Sequence, residues 1–112
     1  MKHFERIIIL CGGQSGEREV SLHSAEPVFE ALKKRYPTRL LRLDANALPT
    51  ELNPETDLIF PLTHGDFGED GRLQALLEAK DFTYVGSDSQ ASALCMDKMR
   101  SKRLAKGRGI PV

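Results

Sequence analysis

Residues 64–74, His-Gly-Asp-Phe-Gly-Glu-Asp-Gly-Arg-Leu-Gln, place one histidine, three glycines and three carboxylates between an apolar run and an amphipathic one. Glycines let backbone turn sharply and approach a ligand closely. An imidazole opening such a loop can act as a cation or hydrogen-bond donor, which suits a substrate carboxylate or an acyl phosphate. His64 reads equally well as a histidine satisfied by backbone. A second polar stretch begins at Gly12-Gly13 and runs through Ser15, Glu17, Glu19, Val20 and Ser21. It is like a phosphate-binding turn, but it has neither the spaced glycines of a dinucleotide fingerprint nor the Gly-Lys-Ser/Thr end of a P-loop. A tight strand-to-helix turn explains it as well. Glu17 and Glu19 fit the first turn of a helix, where the dipole favours acids. A carboxylate there could also hold a substrate ammonium. Ser21 reads as a further cap or a polar ligand contact. Glu69 and Asp70 read as caps of the helix that follows. The carboxylates crowd one turn, so no metal site is expected.

These residues need elements to position them. Residues 4–11 read as a buried strand, an apolar β-branched run closed by Gly12-Gly13. From Glu17 to about Tyr36, Ala25, Val28, Phe29 and Leu32 recur at helical spacing. Lys33, Lys34 and Arg35 would close that helix and Pro37 would stop it. Pro27 lies inside the pattern and predicts a kink or a later start. Residues 38–43 and 57–62 read as strands two and three, joined by a polar connection. A helix is expected from about Asp70, through Leu73, Leu76 and Leu77. Residues 82–85 read as a short fourth strand, and residues 89–95 and 97–106 as two further helices. The sum is an α/β fold with a mostly parallel four-stranded sheet flanked by helices. Ligands of such sheets sit beyond the carboxyl ends of the strands. The loops at 12–19, 64–71 and 86–89 would then share one rim.

Composition narrows the class. A chain of 112 residues fits one domain, and 16 basic against 16 acidic residues leave a formal net charge of +0. Neither nucleic acid nor a membrane surface is expected as a partner. The basic stretch 98–108 reads as the solvated face of a helix. The apolar run 7–11 is too short for a membrane span or a signal peptide, which makes the cytoplasm the default location. Cys11 and Cys95 have no metal or disulfide spacing and read as free buried thiols.

Taken in order, three segments resemble the D-alanine–D-alanine ligases. Gly12-Gly13-Gln14-Ser15-Gly16-Glu17-Arg18-Glu19-Val20-Ser21-Leu22 resembles their first signature. His64-Gly65, then Gly68-Glu69-Asp70-Gly71, Gln74 and Leu76-Leu77-Glu78, resembles their second. Tyr84-Val85-Gly86-Ser87 and residues 91–98, Ala-Ser-Ala-Leu-Cys-Met-Asp-Lys, resemble the segment leading into their ATP-grasp part. The resemblance implies the pre-ATP-grasp, Rossmann-like domain. It also implies ATP-dependent ligation of two D-alanines through an acyl phosphate, for peptidoglycan. Under it, Glu17 holds the ammonium of the first D-alanine and His64 lies near its carboxylate. Val20, Ser21 and Gly65 border the pocket, and Lys98 contacts ATP. Glu17 and His64 are the residues closest to the chemistry.

The resemblance further implies ATP and Mg²⁺, both bound mainly by domains outside these residues, and a homodimer. It divides the chain into an amino-terminal substrate domain, 1–96, and the truncated start of the ATP-grasp region, 97–112, inactive alone. The sequence departs from the family pattern at Ala25-Glu26-Pro27, Ala75 and Asp88. A non-catalytic binding module on the same fold is the competing reading. A ligase with D-lactate or D-serine as second substrate is another.

Overall fold

Isoleucines and leucine fill the middle of the first strand without a polar break, and such a strand must be covered on both faces. The computed structural model, which describes residues 2–13 and 16–112, places it at the centre of a three-stranded parallel sheet. The elements are β1 (Arg6–Gly12), α1 (Arg18–Leu32), β2 (Thr38–Leu43), β3 (Asp57–Pro61), α2 (Arg72–Ala79), α3 (Ser89–Met96) and α4 (Lys98–Gly107). The sheet order is β2-β1-β3. Ile7 to Gly12 pair with Thr38 to Leu43, and Arg6 to Leu10 with Asp57 to Pro61.

Alternation along β1 divides the core in two. Ile8 and Leu10 point to one face and pack with Leu43, Ile59, Phe67, Leu73, Leu77 and Phe82, beneath α2. Ile9 and Cys11 point to the other and pack with Ala25 and the flanking apolar residues of α1. The period-two geometry of a strand gives one buried run two helical covers.

Several expectations change. The sheet has three strands, not four. Tyr84 makes only an isolated parallel bridge to Ile59, with Ile59 N–H donating to Thr83 O and Val85 N–H to Ile59 O. The run cannot extend, because Phe82 N–H is tied back to Leu77 O, Tyr84 is drawn to Glu78, and Gly86 turns away at φ +121°. Helix α1 runs through Pro27 and ends at Leu32, so Lys33, Lys34 and Arg35 lie beyond it. Pro27 is exposed on the solvent side of α1, where the His23 carbonyl left without its N–H can reach water. Cys95 is exposed on α3, whose partners among the described elements are α2 and α4; Cys11 is buried as expected. Among the described residues no helix is long and apolar enough to cross a membrane.

At the amino ends of the strands, Asp57 is fully buried and acts as a knot. Arg6 donates to both its oxygens, Nε to Oδ1 at 2.7 Å and Nη2 to Oδ2 at 3.0 Å. Asn53 N–H donates to Oδ2 at 2.9 Å and the Thr56 hydroxyl to Oδ1 at 3.2 Å. Burial pushes the Asp57 carboxyl up, but the Arg6 guanidinium, Asn53 N–H and Thr56 outweigh it and hold the group below its ordinary value. A carboxyl depressed in the folded state stabilises above its unfolded pKa of about 4. That stability is lost as pH falls from there through the lower folded value. Asp57→Ala is therefore expected to cost about 2–3 kcal/mol at pH 7. Urea unfolding at pH 7 and at progressively lower pH should show the variant and the wild type converging in acid.

Candidate active site

The opposite ends of the strands form a rim. There α1 is fastened to the sheet by one side chain, Ser21, which is fully buried. Gly12 N–H, at the end of β1, donates to Ser21 Oγ at 2.8 Å. The same hydroxyl donates to Leu62 O, just past β3, at 2.6 Å. Arg18 makes a second fastening, its Nη1 donating to Gly13 O and Leu43 O and its Nη2 to Asp44 Oδ1. Both bonds fix the rotation of α1. Residues 17, 21 and 24 fall at i, i+4 and i+7, on one side of a helix. With Ser21 facing the strand ends, Glu17 and Ser24 face the same rim.

The loop after β3 meets that face. His64 is part-buried, and its Nδ1 lies 2.9 Å from Glu69 Oε1. An ionised carboxylate offers only lone pairs, so Nδ1 carries the hydrogen. Gly65 N–H donates to the same Oε1 at 3.0 Å, and His64 Nε2 lies 3.3 Å from Ser24 Oγ on α1. Donor atoms of Glu17, His64 and Glu69 come within 4.8 Å of one another. An acid from the first loop and an imidazole from the middle of the chain therefore share one ledge.

The loop holds this shape under strain. Phe67 has φ +69°, in the left-handed region that disfavours a bulky residue. Its ring is buried in the core and its N–H donates to Asp70 Oδ2 at 2.9 Å. Asp70 also takes Arg72 N–H and the Arg72 guanidinium. Arg72, then burial working the other way, then the Phe67 and Arg72 N–H groups set its carboxyl, lowered to about 2. Gly68 sits so close to Thr63 that an added Cβ would lie 2.5 Å from the threonine side chain. Gly71, at φ +97°, admits Ser89 O where a Cβ would lie 2.5 Å away.

The expected site residues thus fall into groups. Glu17, His64 and Gly65 come together. Val20 is exposed on α1, and Ser21 is enclosed, its hydroxyl taken up by backbone. Lys98 begins α4, whose only packing partner among the elements is α3. Asp70 accepts Arg72 N–H at the start of α2, but the cap position is Gly71, and Glu69 turns to His64. Glu69 and Ser24 were not expected at the site. The signal for Ser24 was the seven-residue spacing from Glu17. Ser87, from the third loop, borders a cleft with Glu69, Gln74, Ser92 and Met96, so that loop adjoins the ledge. Gln14 and Ser15, part of the expected phosphate-binding turn, lie outside the described residues.

A three-layer α/β domain with an acid–imidazole ledge at its carboxyl rim has the form of a substrate-binding domain. Residues 43–87 match the family model described as D-ala D-ala ligase N-terminus. The D-alanine–D-alanine ligase of Carboxydothermus hydrogenoformans is 43% identical over 107 residues, 95% of this chain and 34% of that protein. That of Desulforamulus reducens is 44% identical over 108 residues, 95% of this chain and 35% of that protein. In structure, D-alanyl-alanine synthetase A from Vibrio cholerae superposes with a TM-score of 0.81 at 27% identity, over 99% of this chain and 39% of that one. D-alanine–D-alanine ligase from Aeromonas hydrophila gives 0.79 at 30% identity, over 95% of this chain and 47% of that one. By these matches the chain is similar to the amino-terminal part of D-alanine–D-alanine ligases. It spans about a third of the length of the curated relatives it matches.

Removing the Ser21 hydroxyl leaves a buried N–H and a buried carbonyl unpaired. Ser21→Ala is expected to destabilise the domain by about 2 kcal/mol, read as a lowered midpoint of urea unfolding. An unchanged midpoint with a raised KM would instead make Ser21 a substrate contact.

Proposed function

We propose that this domain holds the first D-alanine for an ATP-dependent D-alanine–D-alanine ligase. The approach of Glu17 to His64 carries the reading, since a small zwitterion needs an acid for its ammonium and a donor for its carboxylate, a few ångströms apart. Glu17 takes the ammonium. His64, its ring oriented by Glu69, faces the carboxylate and the negative charge that gathers there. Gly65 contributes close backbone approach, and the exposed Val20 an apolar surface.

The reaction then runs in two steps. A carboxylate oxygen of the bound D-alanine attacks the γ-phosphorus of ATP and ADP leaves. The amine of a second D-alanine attacks the acyl carbon, inorganic phosphate leaves and the amine gives up a proton. The dipeptide is a peptidoglycan precursor, made in the cytoplasm by a homodimer in this reading. The domain at 1–96 supplies the first substrate's grip, and 97–112 lead towards the ATP-grasp region, with Lys98 as an ATP contact. Mg²⁺ prefers an octahedral set of oxygens from carboxylates, water and phosphate. The Glu17–His64–Glu69 trio includes an imidazole, so it does not fit Mg²⁺ and no step here passes through the metal.

In the intact enzyme, Glu17→Gln and His64→Gln are each expected to lower kcat/KM for the first D-alanine at least tenfold, the value of about one charge-assisted hydrogen bond. Wild-type turnover in both variants, followed by phosphate release, would overturn the assignment. The 112 residues alone are expected to release no phosphate from ATP and D-alanine.

A further inference from the structure

A serine in the middle of a helix commonly turns its hydroxyl back to the carbonyl four residues earlier. Ser24 reaches out of α1 instead, to a histidine 40 residues away in sequence. The His64 ring is thus gripped at both nitrogens, by Glu69 at Nδ1 and by Ser24 at Nε2. The two grips differ in kind. The Glu69 carboxylate only accepts, which keeps the hydrogen on Nδ1. A hydroxyl both donates and accepts. While His64 is neutral, Ser24 O–H donates to the Nε2 lone pair. When His64 is protonated, Nε2–H donates to Ser24 Oγ.

We infer that Ser24 is a positioning residue that helps keep the His64 ring in one orientation through both protonation states, holding the nitrogen that Glu69 does not reach. The fastening of α1 by Ser21, one turn earlier, makes the grip firm, because Ser24 cannot rotate away from the rim without breaking two buried bonds. Glu17, at the start of α1, and Glu69, on the loop, each bring a carboxylate oxygen within 4.8 Å of a ring nitrogen. Neither can take the Ser24 part while ionised, having no hydrogen to give the Nε2 lone pair. The inference rests on His64 facing the substrate carboxylate only for its kinetic consequence; the hydrogen bond itself is tested apart from activity.

The test uses intact protein labelled with ¹⁵N at the histidine rings, with His64 assigned by its loss in His64→Gln. With the His64 ring neutral, the wild type is expected to show a single Nδ1–H tautomer with Nε2 accepting a hydrogen bond. In Ser24→Ala the Nε2 resonance should move towards the position of a nitrogen that accepts no hydrogen bond. Ser24→Thr, which keeps the hydroxyl, should restore it. Identical Nε2 resonances in wild type and Ser24→Ala, or no restoration by Ser24→Thr, would overturn the inference. In the same proteins KM for the first D-alanine is expected to rise about fivefold in Ser24→Ala, the value of one hydrogen bond, and to return in Ser24→Thr. A shifted resonance with unchanged KM would uphold the Ser24 grip and overturn the placing of His64 against the substrate.

Discussion

One buried hydroxyl sets the geometry of the rim. Parallel strands end in backbone groups that the ladder no longer pairs, and an unpaired group away from water costs about 1–3 kcal/mol. Ser21 meets one such donor, from Gly12, and one such acceptor, from Leu62, with a single oxygen. Its bonds join the ends of β1 and β3 to α1 and leave the helix one rotational setting. Everything the site does follows from that setting. Glu17, one turn earlier, is brought to the ledge, and Ser24, one turn later, to the imidazole.

The two ends of the sheet divide the work between them. The amino ends are closed by Arg6 and Asp57, opposite partners in the β1–β3 register, whose ion pair is satisfied on every side. The carboxyl ends keep their polar groups at the surface and carry the strain, in the left-handed Phe67 and the crowded Gly68. Strain persists only where surrounding structure over-determines it. Here Phe67 is held by core burial on one side and Asp70 on the other. The rigid end supports the end that must present side chains in an unfavourable backbone.

The sequence was legible where a single local rule governed. The continuous apolar run of β1 could only be a doubly covered strand, and β2 begins and ends where its residues predict. The fourth strand was misread because residues 82–85 are apolar enough for a ladder. Bonds from Phe82 back to Leu77 and from Tyr84 to Glu78, only five and six residues apart, hold the run against the end of α2, and its composition does not signal them. Cys95 was misread because an apolar helix face implies a cover, and α3 has one only along α2 and α4. At the site, Glu17 and His64 were legible from motif and strand-end position. The role of Glu69 was not, since a carboxylate near a helix start is equally a cap. Ser21 was legible as important but not in kind. Only the fold shows that both of its hydrogen-bonding capacities face backbone.

The departures from the family pattern locate the same constraints from the other side. Ala75 is exposed on α2, so its methyl meets no packed neighbour. Asp88 accepts Ala91 N–H at 2.8 Å and so caps α3, which offsets whatever turn a glycine would ease there. Ala25 fills the core beside Ile9 and Cys11, while Glu26 and Pro27 lie on the outer side of α1. No side chain at these positions takes part in the Ser21 bonds, the Gly68–Thr63 approach or the Gly71–Ser89 approach. Substitution is absorbed wherever a side chain faces water, the core or a helix end. It is not absorbed where one atom must satisfy two strand ends, or where a Cβ would occupy the space of a neighbour. The ledge is therefore fixed less by the residues that line it than by Ser21, Gly68 and Gly71 behind them.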